Sequence, residues 1–173
     1  MSLIQKITNS GVQFVTSRSE KRNVMLSNYI ALVITLANIL LLIGRIYFGH
    51  EVKFIAPALI LGTSLFLLPI VLNFFGYIKV SRLALCWSPP VFILYAAVFI
   101  MSRTLTFESS TYVGVRYILL AANCVPYVVF DLQDRKWLLA GILIPLLLLL
   151  CFDPMLTLFE EGYFQNGLTD KTY

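Results

Sequence analysis

Five long apolar blocks, separated by short polar connections, limit what this chain can fold into. A helix needs about 20 mainly apolar residues to cross the hydrocarbon core of a bilayer, and four of the blocks reach or approach that length. The composition agrees, because 59% of the 173 residues are hydrophobic and only 13% are charged, about half the charge of a soluble domain. We predict an all-α fold, a polytopic integral membrane helix bundle with five transmembrane helices over residues 26–48, 54–75, 83–101, 112–130 and 137–152.

These blocks divide the chain into three parts. Residues 1–25 form an N-terminal segment, 26–152 the transmembrane domain, and 153–173 a polar tail or loop on the other side of the membrane. The short connections predict that successive helices are antiparallel neighbours. Leu3, Ile7 and Phe14 fit one apolar face in the N-terminal segment, which indicates either an amphipathic helix on the membrane surface or a disordered arm.

The basic residues predict the orientation. Positively charged loops lie preferentially on the cytoplasmic side. On alternate sides of the blocks the counts are eight cations against three. We therefore predict an inner (plasma) membrane protein with a cytoplasmic N-terminus and an external tail. The eight are Lys6, Arg18, Lys21, Arg22, Lys79, Arg82, Arg135 and Lys136, and the three are Lys53, Arg103 and Lys171.

Recognisable catalytic chemistry is missing from the sequence. No Asp, Glu or His lies within the apolar blocks, and no metalloprotease, nucleotide-binding or serine-hydrolase motif is present. The single histidine, His50, does not make a metal site alone, and the three cysteines indicate buried apolar positions rather than disulfides. We predict no enzyme activity, no catalytic or metal-binding residues, no cofactor and no nucleic-acid partner.

Polar residues inside membrane helices are costly and therefore informative. Four of them share one face of the first predicted helix, and two more share a face of the fourth because they are seven positions apart. They are Asn28, Thr35, Asn38 and Arg45 in the first helix, and Arg116 and Asn123 in the fourth.

The sequence leaves three interpretations of Arg45 and Arg116 open, one of which is binding of a lipid headgroup. In the second, Arg45 and Arg116 extend to the interface or pair with a loop carboxylate. In the third, they line an outward-facing pocket with Asn38 and Asn123 that binds an anionic small ligand, since guanidinium groups suit carboxylates and phosphates. The pocket would bring Glu51, Glu108 or the ligand between the two arginines.

Prolines interrupt several of the blocks. Each proline removes a helical hydrogen bond and tends to kink the helix. Such a kink either allows close packing of helices or acts as a hinge for conformational change. The candidate hinges are Pro69, Pro89, Pro90 and Pro126. We expect the adjacent pair Pro89–Pro90 to bend or locally unwind the third helix, and Trp87 and Ser88 to face other helices.

Short motifs at both ends of the chain resemble a known family. The sequence resembles the N-terminal multi-pass membrane unit of bacterial sensor histidine kinases and receptor-type nucleotide cyclases. The resemblance implies six helices that feed a cytoplasmic catalytic region, whereas this chain has five blocks and no kinase or cyclase residues. It is carried by Glu20–Lys21–Arg22–Asn23, Asn28–Tyr29, Phe152–Asp153–Pro154, Leu158–Phe159, Gly162–Tyr163 and Gly167.

This resemblance implies a non-catalytic signal-input module of a bacterial two-component or cyclase receptor, which relays a stimulus by helix repacking. A sixth helix after Tyr173, lost by truncation, would restore the topology; the alternative is a complete five-helix protein. The rival functions are a small subunit or assembly factor of a larger membrane complex and, third, a transporter or channel fragment. The expected partners are membrane lipid and either a second copy or other membrane helices.

Overall fold

The computed structural model describes residues 2–48, 52–101 and 109–158, and all regular elements in these ranges are helical. This confirms the all-α class. One 3₁₀ turn, Val12–Phe14, follows the first helix. The α-helices are α1 (Leu3–Thr8), α2 (Arg18–Phe48), α3 (Val52–Phe74), α4 (Ile78–Met101), α5 (Ser109–Ala122), α6 (Val125–Val129), α7 (Arg135–Leu150) and α8 (Phe152–Leu158).

Three of these helices are long and apolar enough to cross a membrane. The stretches that qualify are Arg18–Gly44 in α2, Ala56–Phe74 in α3 and Ile78–Val98 in α4. The first begins eight residues before the predicted start at Leu26. Within the described ranges, the chain therefore has three candidate membrane spans, and the predicted number of five is not confirmed.

The fourth predicted span is divided into two helices. α5 ends at Ala122 and α6 begins at Val125, with a turn at Asn123 and Cys124 between them. Pro126 lies in the first turn of α6, where its missing N–H costs no helical bond. The proline thus stands at a helix start, not within a kinked helix.

The end of the fifth predicted span also differs from the expectation. α7 ends at Leu150, two residues before the predicted end of the span at residue 152. The chain then continues as α8 instead of beginning a polar tail at residue 153. Asp153 and Pro154 lie in the first turn of α8, where an acidic side chain and a proline are both favoured.

Helix α4 lies at the centre of the bundle. It packs against α3, α5 and α7, while α2 packs mainly against α3. One apolar cluster joins α2, α4, α6 and α7 around Leu85, Cys86 and Phe130. A second joins α4, α5 and α8 around Leu94, Leu119 and Phe152. These two clusters mark the two ends of the bundle.

Candidate functional site

A buried pair of asparagines joins three parts of the chain at one end of the bundle. The Nδ2 atom of Asn28 donates to the carbonyl oxygens of Thr8 at 3.0 Å and Ser10 at 2.8 Å. Its Oδ1 atom accepts from Nδ2 of Asn73 at 2.6 Å. Both side chains are completely buried. Because α2 begins at Arg18 and not at the predicted residue 26, we use the name N-terminal segment from here on for residues 2–15. Asn28 of α2 holds this segment and α3 together.

The N-terminal segment has its own local signals for this path. Ser2 and Gln5 form a reciprocal capping box that starts α1. Gly11 then turns the chain with φ +84°, in the left-handed region that favours glycine. A Cβ atom at Gly11 would lie 2.6 Å from the carbonyl oxygen of Asn73. The segment thus passes directly over the end of α3.

The turn between α3 and α4 completes this contact. The N–H of Gly76 donates to the carbonyl of Asn73, and the N–H of Tyr77 donates to that of Leu72. With Gly76 at φ +85°, this pattern is a Schellman motif, which ends a helix and reverses the chain in few residues. The ring of Phe14 covers Gly76, since a Cβ atom there would lie 3.3 Å from it.

A buried arginine lies at the same end. Arg82, near the start of α4, is 1% exposed, and its Nη2 atom donates to the carbonyl oxygen of Glu20 at 3.2 Å. The carboxylates of Glu20, Asp131 and Asp134 are its electrostatic partners. A buried guanidinium requires such partners because desolvation of an unpaired charge is costly. Arg82 thus joins the starts of α2 and α4 by a hydrogen bond, and the carboxylates of the α6–α7 connection offset its charge.

Two further side chains, Ser19 and Lys79, attach the connection between α6 and α7 to this end. Ser19 Oγ donates to Asp131 at 3.2 Å. Lys79 pairs with Asp134 at 3.4 Å and lies 5.8 Å from the centre of the Trp137 ring. We call this end of the bundle, with the N-terminal segment and the two connections, the capped end.

Three of the four residues on the predicted polar face of the first helix are buried. Asn28, Thr35 and Asn38 are each less than 5% exposed. Asn38 bonds to α3, since its Nδ2 atom donates to the carbonyl of Leu59 at 2.7 Å and to Oγ1 of Thr63 at 2.8 Å. This face therefore serves contacts with α3 and with the N-terminal segment.

The other predicted ligand-binding residues lie apart from this face. Asn123 donates to the carbonyl of Leu119 within α5, at 2.9 Å. Arg116 forms an ion pair with Asp153, and its guanidinium carbon is 5.8 Å from the centre of the Phe152 ring. Burial raises the pKa of the Asp153 carboxyl.

Part of the predicted pocket falls outside what is described. The backbone of Arg45 belongs to α2, while its side chain lies outside the described residues, as do Glu51 and Glu108. α5, which carries Arg116, packs against α4 and α7. The assignment of an anionic ligand to these arginines stays a prediction.

The prolines lie within or beside tightly packed helix contacts. α4 is a continuous helix through Pro89 and Pro90, so the expected local unwinding does not occur. Ser88 is buried and Trp87 Nε1 donates to the carbonyl of Ala140 on α7 at 3.0 Å, which confirms that both face other helices. The carbonyl of Pro69, inside α3, accepts from Ser81 Oγ at 2.7 Å. Whether these positions act as hinges stays a prediction.

Three residues of the structure were not singled out by the sequence. The sequence predicts Arg82 to be a loop cation, Asn73 to stand at the end of an apolar block, and Asp153 to begin a polar tail. The available signal for Asn73 was its polarity inside a predicted span, the same signal that identified Asn28. Among the described residues, no three metal-ligating side chains come together. No known protein family matches the chain, and searches of curated proteins and of solved structures return no match.

Proposed function

We propose that this chain is a non-catalytic membrane module that receives a signal and relays it by repacking its helices, as the input part of a signalling receptor. The observation that carries the proposal is the link made by Asn28. One side chain of α2 bonds to two carbonyls of the N-terminal segment and to Asn73 of α3. A shift of α3 along α2 must therefore break these bonds or move the segment.

Such coupling requires hydrogen bonds whose groups find no other partner when the bonds break. A buried backbone carbonyl or side-chain amide that loses its partner bears the full cost of desolvation. The Asn28 contacts are buried, and the carbonyl of Asn73 lies directly against Gly11. Small movements of the long helices would thus displace the N-terminal segment, because breaking its buried hydrogen bonds is costly.

We propose further that the chain crosses the membrane five times with the capped end in the cytoplasm. Contacts gather many of the predicted cytoplasmic cations at this end, because Lys79 and Arg82 lie beside the start of α2 and the α6–α7 connection. The apolar helical stretch Val113–Val129 and the 16-residue α7 would supply the fourth and fifth crossings. Impermeant thiol labelling of single-cysteine variants at positions 79 and 136 tests this; labelling from outside intact cells would contradict it.

The coding sequence after Tyr173, together with the native gene product, tests the receptor function. A receptor requires a further crossing, a helical linker and an output domain in the same chain. We expect an antibody against this chain to detect that longer product in native membranes. A product that ends at Tyr173 and co-purifies stoichiometrically with other membrane subunits would instead identify a subunit of a complex.

A further inference from the structure

A groove runs beside α1 along the first three turns of α2. Its volume is about 500 Å³, within the range of pockets that hold small ligands. The surface of the groove is almost entirely apolar, and three exposed cations border it where α2 begins. Its lining consists of Thr8, Arg18, Lys21, Arg22, Met25, Leu26 and Tyr29.

The cations that border the groove are arranged in a way that favours an anion beside them. Arg18, Lys21 and Arg22 lie on one face of α2, because residues three and four positions apart are neighbours on a helix. Like charges in that arrangement repel, and the helix N-terminus adds its own positive partial charge. Glu20, the acidic residue of this first turn, is an electrostatic partner of Arg82. None of the three cations forms an ion pair with a carboxylate of a described residue.

The apolar part of the groove is open. Met25 is 42% exposed and Tyr29 is 55% exposed. Met25 and Tyr29 lie four and eight positions after Lys21, so they are on the same side of α2 as Lys21, one and two turns farther along the helix. A ligand in this groove would therefore have an anionic group at the start of α2 and a hydrocarbon part along Met25 and Tyr29.

We infer that an anionic phospholipid occupies this groove. Its phosphate lies between Arg18 and Arg22, and one acyl chain lies along Met25 and Tyr29. The charge selects an anionic lipid over a zwitterionic one, and the apolar floor selects a lipid over a soluble phosphate. The inference goes beyond the proposed receptor function and does not depend on it.

A second groove on the opposite side of α1 makes a useful contrast. Its volume is about 350 Å³, and its lining contains one cation, Lys6, beside apolar residues of α3 such as Val71 and Phe74. The second groove lacks the cluster of cations that favours an anion. Selective binding is therefore expected beside α2.

The test measures lipid binding by the full chain in detergent micelles, with tail-labelled phosphatidylglycerol and phosphatidylcholine. We expect phosphatidylglycerol to bind at least about tenfold more tightly, because each basic side chain contributes to the attraction. The double variant Arg18→Gln/Arg22→Gln should lose about 10- to 30-fold of that affinity. The matched control Arg135→Gln/Lys136→Gln removes two exposed cations at the start of α7 and should change it less than about threefold.

Three results would overturn the inference. Equal binding of the two lipids would exclude charge selection, and equal losses in the two double variants would show a general effect of surface charge. Competition by glycerol phosphate as effective as that by the lipid would show that the apolar floor has no role. Circular dichroism and gel filtration confirm that each variant is folded; if the double variant is not, Lys21→Gln takes its place with an expected loss of several-fold.

Discussion

The two ends of the bundle satisfy their polar groups in different ways. At the capped end, Asn28 and Asn73 are fully buried and bond to groups from other parts of the chain. At the opposite end, the ion pair of Arg116 and Asp153 is 45% and 42% exposed. A buried group that loses its partner bears the full cost of desolvation, whereas an exposed one regains water. Substitutions of the buried amides at the capped end are therefore expected to have the largest effects.

The largest effect is expected for Asn28→Leu. The substitution leaves the carbonyls of Thr8 and Ser10 and the amide of Asn73 without their bonds. Each buried group without a partner costs about 1–3 kcal/mol, so the free energy of unfolding should fall by about 3 kcal/mol or more. Unfolding by SDS in mixed micelles measures this change.

Asn38→Leu is the matched control for this prediction. Asn38 is also a buried asparagine of α2 that bonds to α3, although it has no contact with the N-terminal segment. We expect a cost of about 1–3 kcal/mol. A larger loss for Asn38→Leu than for Asn28→Leu would contradict the special role of the capped end.

Gly11→Ala should produce the next largest effect. Alanine is strained at φ +84°, and its Cβ atom would approach the carbonyl of Asn73 to 2.6 Å. Strain of this kind costs about 1–3 kcal/mol. In contrast, Gly44→Ala in α2 meets no atom within 4 Å and should stabilise the protein by up to about 1 kcal/mol. Equal effects of the two substitutions on SDS unfolding would show that the segment does not lie on α3 as described.

A smaller effect is expected at the opposite end. Arg116→Gln should reduce the free energy of unfolding by no more than about 1 kcal/mol, because the ion pair is partly exposed. A double-mutant cycle with Asp153→Asn isolates the pair. A coupling energy above about 3 kcal/mol would mean that this end is as sensitive as the capped end.

Lys79→Gln is expected to have the smallest effect, although Lys79 lies at the capped end. Its ion pair with Asp134 is 41% and 30% exposed, so the expected loss is below about 1 kcal/mol. Comparison of Lys79→Gln with Asn28→Leu shows whether burial of the side chain or its position at the capped end determines the loss of stability. A loss as large as that for Asn28→Leu would show that location alone decides the outcome.

The sequence was most informative where a pattern repeats over a long helix. The spacing of Asn28, Thr35 and Asn38 indicated a common face, and the structure buries all three. α7 ends at Leu150, within two residues of the predicted end of the fifth span at residue 152. Such features depend on residues close in sequence, so helix geometry alone is enough to predict them.

The sequence pattern does not predict contacts between residues that are far apart in the chain. Asn28 meets Asn73 across 45 positions, and Arg116 meets Asp153 across 37. Hydropathy also does not distinguish a loop cation from a buried one, so Arg82 was assigned to a loop. The break between α5 and α6 was missed because a proline inside an apolar block is compatible with a kinked helix as well as with a new helix start.

Hydrogen exchange of the N-terminal segment in lipid nanodiscs tests the central claim most directly. If Asn28 holds the segment on the bundle, Asn28→Leu should accelerate exchange of amides in residues 2–15 on the order of tenfold or more, because local opening becomes easier. Asn38→Leu should leave their exchange within about twofold to threefold of the unsubstituted protein. Unchanged protection in Asn28→Leu, or equal acceleration in both variants, would contradict the account.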